Sequence, residues 1–460
     1  MSRVELPVLN TGTSPAGRGD LSSSPRHPAL HVFDTALGPH VLLVNGSRLY
    51  QISESLARSL RQAMTDSDPQ AVEGLLNQHH LNAPAYIDNQ PPESFSVRAL
   101  SLAVSQACNL GCTYCYAEGG SFGGTAKNMT REVAFAAVER LLADVNPGEK
   151  ANLSFLGGEP LINRQVLYRT TECAAQRARD KGVRLGFSIT TNGTLITEAD
   201  GAFFERFGFA VTVSLDGVGE IHDQLRSFKN GRGSYDQIVQ RVKPLLAMQR
   251  NMQVSARVTV TPQNLHLQET LDELIRLGFH SVGFSPMLSS PTGLGEMQNQ
   301  ELDTMLDRMV DCGHVFEREI LAGHRYPFSN MVNAMHELHK GTHRPYPCGA
   351  GAGYFGVSAD GELFACHRIV DNASGAMGNL GDGVASDIQA TWLAQRHVHR
   401  QEPCQRCWAR YLCGGGCHHE SIHRGRPACD YIRGWLHYCL QAYANLLTHR
   451  PDYFGLPTAT

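Results

Sequence analysis

The stretch SVRALSLAVSQACNLGCTYC, residues 96–115, joins a strand-like run to three closely spaced cysteines. Its first half, SVRALSLAV, predicts a β-strand, and Cys108, Cys112 and Cys115 follow in a loop. The helical pattern TREVAFAAVERLLADV comes next, and five more strand-like runs then alternate with helical ones up to residue 325. Such alternation predicts a parallel sheet with right-handed helical crossovers. We therefore expect an α/β fold with the cysteines at a carboxyl end of the sheet.

Six strand–helix units are two fewer than a complete (β/α)8 barrel contains, so the sequence predicts an open, partial (β/α)6 barrel. Before the barrel, three short strands precede a helix for which Ser53 is a suitable N-cap. After it, eight of the cysteines occur among many glycines. The predicted organisation is a disordered N-terminus (1–26), a small β3α-type domain (27–85), a linker (86–95), the partial barrel (96–325) and a metal-organised C-terminal domain (326–460).

The composition describes an ordinary globular protein, with 42% hydrophobic and 18% charged residues among 460. A formal net charge of −4 gives no reason to expect a nucleic acid or a membrane as partner. The N-terminal sequence has no apolar segment of the secretory type, so we expect a cytoplasmic protein. The cytoplasm keeps thiols reduced, and clustered cysteines are therefore better candidates for metal ligands than for disulfides.

The spacing of the first three cysteines points to a particular kind of metal site. A structural zinc ion takes four protein ligands, whereas three thiolates suit a cubane iron–sulfur cluster with one iron left open. The amino and carboxylate groups of S-adenosylmethionine (SAM) could bind that iron. One electron from the cluster could then cleave SAM and release a 5′-deoxyadenosyl radical, which abstracts hydrogen from unactivated C–H bonds. In such chemistry the protein supplies binding, orientation and the exclusion of side reactions.

At this point the sequence resembles the radical SAM superfamily, whose signature is CxxxCxxC with an aromatic residue, here Tyr114, before the last cysteine. Three further motifs follow successive strands in the order typical of the family: GGEP at 157–160, TTNG at 190–193 and SLDG at 214–217. The resemblance implies that these turns contact SAM. The candidate cofactor-binding residues are Tyr114, Gly157, Gly158, Glu159, Asn192, Ser214 and Arg226.

The C-terminal cysteines form a second pattern, and short spacings between four or more thiolates indicate zinc or iron–sulfur. Seven or eight ligands would fill about two sites. The pattern resembles the SPASM extension of peptide-modifying radical SAM enzymes, in which Gly361 precedes the second cysteine. The resemblance implies two auxiliary [4Fe–4S] clusters, one held by Cys348, Cys366 and Cys417, the other by Cys404, Cys407, Cys413 and Cys429.

The first auxiliary cluster would then have only three thiolate ligands. It could be open to substrate, or take a fourth ligand such as His343 or Cys439, although Cys439 lies on a predicted helix where a packed thiol is an equal alternative. His418 and His419 adjoin Cys417. Because thiolates already suffice there, we expect both histidines to lie beside the cluster or at the surface.

The combination predicts an oxidoreductase that acts on a ribosomally made peptide or small protein, with an electron donor such as flavodoxin or ferredoxin. The N-terminal β-β-β-α pattern resembles the peptide-recognition element of ribosomal-peptide maturases, which would bind a leader peptide as an added strand. An unrelated capping domain is the alternative for this region.

One difference from a related family limits the reactions that we expect. Anaerobic sulfatase maturases, which the barrel and C-terminal regions resemble, carry an aspartate general base where this chain has His367. We therefore predict an intramolecular cross-link, either a thioether or a C–C or C–O bond, rather than formylglycine formation. Asp216 and His367 are the candidate bases, with a turn-stabilising role equally open for Asp216. The remaining alternatives are a zinc-organised peptide-binding scaffold and a nucleic-acid-modifying radical enzyme.

Overall fold

The computed structural model describes residues 27–81 and 90–456. The predicted disordered N-terminus and residues 86–89 of the predicted linker lie outside these residues, as do positions 82–85 of the small domain. The small domain begins with an antiparallel sheet in the order β1-β2-β3, followed by two helices. These elements are β1 Leu30–Thr35, β2 Gly38–Leu43, β3 Arg48–Gln51, α1 Glu54–Thr65 and α2 Pro69–Gln78.

Local sequence explains the boundaries of the small domain. Gly38 begins β2 with a φ of 104°, a conformation that favours glycine and permits the tight turn after β1. The Ser53 side chain accepts a hydrogen bond from the Leu56 N–H, which confirms it as the N-cap of α1. Asp68 caps α2 in the same way, with Pro69 at the first helical position.

A second sheet of ten strands forms the centre of the protein. Six of its strands run parallel in the order β4-β5-β6-β7-β8-β9, and helices connect them. This confirms an α/β fold with a central, mostly parallel sheet. The strands are β4 Ala99–Ser105, β5 Lys150–Gly157, β6 Arg184–Thr191, β7 Ala210–Ser214, β8 Gln253–Val260 and β9 Ser281–Pro286. The helices are α3 Arg131–Ala143, α4 Arg164–Lys181, α5 Glu198–Phe207, α6 Glu220–Leu225, α7 Tyr235–Met248, α8 Leu267–Arg276 and α9 Asn299–Leu321.

The C-terminal region extends the same sheet, which the sequence did not predict. Strand β10 pairs with β4 in parallel, with Tyr354 opposite Ala99, and three antiparallel strands follow it. The strands are β10 Tyr354–Val357, β11 Glu362–Phe364, β12 Ala376–Asn379 and β13 Gly383–Val384. The helices are α10 Ser329–His339, α11 Ser386–Arg396, α12 Arg410–Cys413, α13 His418–His423 and α14 Cys429–His449.

The two faces of the parallel strands differ in chemistry. Alternate residues such as Phe155, Ile189 and Val254 are buried in the main hydrophobic core that the helices cover. The residues between them are mostly polar, and Ser154 and Ser188 share a hydrogen bond of 2.7 Å across neighbouring strands. The sheet therefore buries one face against the helices and presents a polar face on its other side.

The small N-terminal sheet packs between its own helices and the C-terminal region. Leu30, Val41 and Leu43 contact the helices α1 and α2 in one core, whereas Phe33 and Leu42 lie in another core with Trp408. None of the helices in residues 27–81 and 90–456 combines the length and the apolar character needed to cross a bilayer.

Candidate functional site

The three cysteines of the first motif lie in the loop after β4, close to one another. Burial raises the pKa of the Cys112 thiol to about 12; the neighbouring Arg226 lowers it, and the Cys115 and Cys108 thiols raise it. The loop is held to the segment after α6 by a hydrogen bond of 2.9 Å from the Gly111 N–H to the Ser227 carbonyl. The structure thus brings together all three predicted ligands and one predicted SAM contact.

The GGEP turn packs directly against this loop. A Cβ atom at Gly157 would overlap the Ser105 carbonyl oxygen, and one at Gly158 would overlap the carbonyl of Ala107. Gly157 also has a φ of 138°, in the region that favours glycine. Only glycines at these two positions allow the end of β5 to approach the cysteine loop so closely.

Glu159 is fully buried and joins the turns after β5 and β6. Its carboxylate accepts hydrogen bonds from the Thr191 hydroxyl at 2.8 Å, the Asn192 N–H at 2.7 Å and the Leu161 N–H at 3.0 Å. The Asn192 side chain in turn lies 3.6 Å from the Cys108 thiol. The Glu159 side chain therefore positions the two turns, and Asn192, like Arg226, is a predicted SAM contact that lies beside the cysteines.

Asp216 lies in a buried network with Tyr114 and Arg226. Its carboxylate accepts hydrogen bonds from the Tyr114 hydroxyl and, at 2.8 Å, from the Thr259 N–H, and the Arg226 Nη1 lies 3.4 Å away. Arg226 also donates to the Tyr114 hydroxyl at 2.7 Å. Ser214, the last residue of β7, precedes this turn. Because the Asp216 carboxylate already has three partners, the geometry favours its stabilising role over that of a free base.

The first group of C-terminal thiols consists of Cys348, Cys366 and Cys417. Burial raises the pKa of Cys366 to about 12, and the Cys417 and Cys348 thiols raise it too, which places the three side by side. Cys366 follows β11 and Cys417 is the N-cap residue of α13.

The second group consists of Cys404, Cys407, Cys413 and Cys429, which line one cavity. Burial raises the pKa of Cys404 to about 11, and the three other thiols of the group also raise it. Arg426 and Arg433 line the same cavity, as do Gly415 and Gly416. Seven of the C-terminal cysteines therefore lie in the two groups that the resemblance implied.

The structure gives other partners to the two suggested fourth ligands. The ring nitrogens of His343 lie 2.9 Å from the Asn45 carbonyl and 3.1 Å from the Gly341 carbonyl. Cys439 is fully buried in the main core, where Glu317 is the charged group that acts on its thiol. These contacts do not direct the His343 or the Cys439 side chain toward Cys348, Cys366 and Cys417.

His418 and His419, which adjoin Cys417, are buried. Of the two positions predicted for them, this excludes the surface and leaves the place beside the cysteine group. Burial lowers the pKa of His418 to about 4 and that of His419 to about 3. Within the described part of the chain, one ring nitrogen of each has no hydrogen-bond partner. Both rings are therefore uncharged at neutral pH and lie inside the protein next to Cys417.

His367 lies between the two cysteine-rich regions. Its Nδ1 atom is 2.6 Å from the Tyr354 hydroxyl and 3.8 Å from the Cys366 thiol. The ring also contacts the edge of Tyr116, which follows Cys115 in the chain. Burial lowers the pKa of His367 to about 4, so its imidazole is neutral at pH 7 and is a weak base.

Arg368 connects the same two regions and was missed from the sequence. Its guanidinium lies 2.7 Å from the Glu420 carboxylate, 3.8 Å from the Cys417 thiol and 5.3 Å from the centre of the Tyr116 ring. Its position two residues after Cys366 was visible in the sequence. The partners that give it a role come from distant segments, so no local pattern marked it.

This geometry defines a class of protein: a parallel α/β sheet with three thiols at the end of its first parallel strand, beside glycine-rich turns. Residues 102–277 match the family model of the radical SAM superfamily. The chain therefore carries a radical SAM domain and is an enzyme, which confirms the resemblance seen in the sequence. Such a domain implies a [4Fe–4S] cluster and SAM as cofactors.

The curated relatives include sulfatase-maturating enzymes and a cyclopropyl synthase. The serine-type anaerobic sulfatase-maturating enzyme of Klebsiella aerogenes is 25% identical over 357 residues, covering 75% of this chain and 85% of the relative. The radical SAM cyclopropyl synthase TigE of Paramaledivibacter caminithermalis is 23% identical over 385 residues, covering 77% and 76%.

Solved structures share the fold at lower identity. The protein anSMEcpe with bound AdoMet matches with a TM-score of 0.64 and 20% identity, covering 76% of this chain and 98% of that one. Streptococcus suis SuiB bound to the precursor peptide SuiA matches with a TM-score of 0.52 and 14% identity, covering 87% and 97%.

Proposed function

We propose that this radical SAM enzyme oxidatively modifies a ribosomally made peptide or small protein by forming an intramolecular cross-link. The observation that carries the proposal is the presence of two further groups of thiols beyond the three-cysteine loop. One of them forms the wall of a cavity together with Arg426 and Arg433. Auxiliary redox sites would allow an electron to leave the substrate, which makes the net reaction an oxidation.

The proposal also includes the type of barrel, the C-terminal domain and the ligands of the clusters. The six parallel strands and their helices would form a partial (β/α)6 barrel, and the C-terminal region would be a SPASM domain with two auxiliary [4Fe–4S] clusters. The proposed ligands are Cys108, Cys112 and Cys115 for the SAM-binding cluster, Cys348, Cys366 and Cys417 for the first auxiliary cluster, and Cys404, Cys407, Cys413 and Cys429 for the second.

The spacing of the thiols supports clusters over zinc. Within residues 27–81 and 90–456, no three His, Cys, Asp or Glu side chains converge closely enough to hold a single metal ion. An iron–sulfur cubane spreads its thiolate ligands over separate iron atoms, so it suits wider groups of thiols than a tetrahedral zinc ion does. This supports the proposal of iron–sulfur clusters, with the zinc-organised scaffold as the weaker alternative.

When bound, the SAM-binding cluster would supply the electron that cleaves SAM and produces a 5′-deoxyadenosyl radical. The residues of the chain have separate tasks around it. The backbone of Gly157 and Gly158 and the side chains of Asn192 and Arg226 would bind and orient SAM. The neutral imidazole of His367 would accept the proton that the oxidised substrate releases, because it lies between the two cysteine-rich regions.

Sulfatase-type maturation is the second candidate, since the relatives include serine-type and cysteine-type sulfatase-maturating enzymes. The presence of His367 where those enzymes are expected to carry an aspartate favours the cross-link. The two products differ chemically: formylglycine contains an aldehyde, and a cross-link does not. Treatment of the modified peptide with a hydrazide probe distinguishes them, because only formylglycine forms the adduct.

The N-terminal sheet is the proposed site for the leader part of the peptide. Helix α14 covers the β1 side, where Gln441 donates a hydrogen bond of 2.8 Å to the Asp34 carbonyl. Strand β3 forms the other edge of the described sheet, and a peptide could add to it as a fourth strand. A flavodoxin or ferredoxin is the proposed electron donor.

The decisive experiment has two readouts. The anaerobically reconstituted enzyme should contain iron in its first cysteine loop and produce 5′-deoxyadenosine from SAM and dithionite, whereas the triple variant C108A/C112A/C115A should produce none. Coexpression with the peptide encoded beside the gene should yield a product lighter by two hydrogens per cross-link. A colourless protein that binds zinc alone, or a peptide of unchanged mass, would contradict the proposal.

A further inference from the structure

The polar face of the parallel sheet is accessible to solvent, although its strands lie in the middle of the sheet. Along β8, the residues Val254, Ala256 and Val258 are buried in the main core, so Arg257 between them points to the opposite face. Arg257 is exposed although β8 lies between β7 and β9 in the sheet. Thr190 of β6 is exposed in the same way. The exposure of residues on internal strands indicates open space over this face.

Arg257 lies close to the proposed reaction centre. It pairs with Ser214 in the register of β7 and β8, and its carbonyl accepts a hydrogen bond of 3.0 Å from the Leu215 N–H. Residues in register on parallel strands direct their side chains to the same face. The Arg257 guanidinium is therefore a neighbour of Ser214, one strand away from the turn that holds Asp216.

The charge of Arg257 is not balanced within the described part of the chain. Its guanidinium donates to the Ser285 hydroxyl on β9, and no acidic side chain among the described residues acts on it. Two other arginines of the site, Arg226 and Arg368, differ in this respect. Arg226 has an ion pair with Asp216, and Arg368 has one with Glu420.

The surroundings of Arg257 make this imbalance costly. Solvent reaches the Arg257 side chain through the open space, but the surrounding protein atoms desolvate it, and this lowers its pKa, while the Tyr431 hydroxyl of α14 acts in the opposite direction. A cation held in such a place gains more from a carboxylate than one at the open surface does. The planar guanidinium also matches the two oxygens of a carboxylate.

We propose that Arg257 binds a carboxylate of the peptide substrate inside the polar face of the sheet. The carboxylate can belong to an Asp or Glu side chain near the modified residue, or to the C-terminus of the peptide. Ser285 orients the guanidinium, and the open space over the face admits the peptide segment. The inference rests on the proposed function in taking the ligand to be a peptide.

The test measures binding of small capped probes to the reconstituted, SAM-loaded enzyme by ligand-observed NMR. N-acetyl-aspartate N-methylamide carries a side-chain carboxylate, N-acetyl-alanine carries a C-terminal one, and N-acetyl-asparagine N-methylamide is the neutral isostere. We expect at least one carboxylate probe to bind about tenfold more tightly than the neutral probe. The preferred carboxylate probe identifies the source of the carboxylate.

The variants assign the effect to Arg257. R257Q should bind all three probes equally, R257K should keep part of the preference, and R308Q should behave as wild type because Arg308 is exposed on α9. Equal binding of the probes by wild type, or an unchanged preference in R257Q, would overturn the inference. Weaker SAM binding in R257Q would also overturn it, since Arg257 would then hold the SAM carboxylate.

Production of 5′-deoxyadenosine without peptide separates this inference from the proposed function. R257Q should still cleave SAM with dithionite. If wild type fails to cleave SAM but prefers the carboxylate probes, the proposed function fails and the binding site stands. If wild type cleaves SAM and shows no preference, only the binding site fails.

Discussion

Glu159 holds the turn after β5 to the turn after β6 through a single buried carboxylate. All three of its donors, the Thr191 hydroxyl and two backbone N–H groups, point at the same two oxygens. A glutamine amide in the same position has only one oxygen that can accept hydrogen bonds. Its NH2 group would face one of the three donors, which would then lose its acceptor. The carboxylate is therefore required as an acceptor.

Substitution of Glu159 by Gln should lower the free energy of unfolding by about 1–3 kcal/mol, because a buried donor loses its acceptor. Chemical denaturation of the cluster-free protein measures this change. Glu362→Gln is the matched control: Glu362 is exposed on β11, so its effect should stay within about 0.5 kcal/mol. A Glu159→Gln protein as stable as the control would contradict the proposed role.

Arg368 provides a prediction about the first auxiliary cluster of the proposed function. N–H groups that point at cluster sulfurs, and positive charges nearby, raise the reduction potential. Arg368 contributes both, through its guanidinium beside Cys417 and its backbone N–H, which lies 3.5 Å from Cys366. Arg368→Met should make the potential more negative, and Arg368→Lys should restore part of the difference.

Potentiometric titration followed by electron paramagnetic resonance measures this shift. The signals of the SAM-binding cluster serve as the internal reference. Identical potentials in the wild-type and Met proteins would show that the ion pair with Glu420 has only a structural role.

At the scale of elements, the contact between α9 and α14 depends on a glycine. A Cβ atom on Gly313 of α9 would overlap the ring of Tyr438 on α14. That ring is fixed by a hydrogen bond of 2.6 Å from its hydroxyl to Glu317. The close approach of the two helices therefore requires the absence of a side chain at position 313.

Gly313→Ala should destabilise the protein by about 1–3 kcal/mol, since the helices must separate or the Tyr438 ring must move. Gly74→Ala should change the stability in the opposite direction. Gly74 lies inside α2 with no atom near its added Cβ, so the substitution should stabilise by up to about 1 kcal/mol through helix propensity. The denaturation midpoints of both variants measure these changes. Midpoints that shift in the same direction would contradict the packing argument.

The sequence predicted much of the element order, for a physical reason. Buried strands and amphipathic helices leave local patterns, so the three N-terminal strands and the N-cap of α1 at Ser53 were both predicted and observed. The pairing of β10 with β4 left no such pattern, because it joins segments that are far apart in sequence. It was therefore missed, and the C-terminal region was expected as a separate unit.

The features of the candidate site also fall into those that the sequence predicted and those that it did not. The spacing of Cys108, Cys112 and Cys115 is local and indicated the first group of thiols, whereas the division of the C-terminal cysteines into two groups came from the resemblance to the SPASM pattern. The Arg368–Glu420 ion pair and the isolated charge of Arg257 depend on contacts between distant segments, which no spacing encodes.

At the scale of the whole molecule, two histidines lie where the N-terminal sheet meets the C-terminal region. The His31 ring stacks on Trp408 with 3.9 Å between ring centres, and its Nε2 lies 2.9 Å from the Nδ1 of His437. Burial lowers the pKa of His31 to about 3 and that of His437 to about 4, although Asp34 raises the latter. Both rings are therefore neutral in the folded protein at pH 7.

This contact should weaken in mild acid. Below about pH 6.5 the unfolded chain binds protons that the folded histidines do not, so the free energy of unfolding falls as the pH decreases. Each of the two contributes about 1.4 kcal/mol per pH unit until its folded pKa is reached. Melting temperatures at pH 7.5 and 5.5, followed by tryptophan fluorescence, measure the loss.

The double variant His31→Phe/His437→Phe should keep aromatic packing and show a shallower decrease between these pH values. Other buried histidines contribute equally to both proteins, so the difference isolates this contact. Parallel pH profiles for the two proteins would count against it.

The hydrogen bonds between β4 and β10 have a consequence for experiments that recombine enzymes of this kind. A fragment ending near residue 325 would leave the first parallel strand without its neighbour, and its N–H and C=O groups would lie along an open edge able to pair with other chains. Chimeras that exchange the C-terminal half between relatives would therefore have to carry over a compatible β10, or insolubility would mask any change in substrate preference.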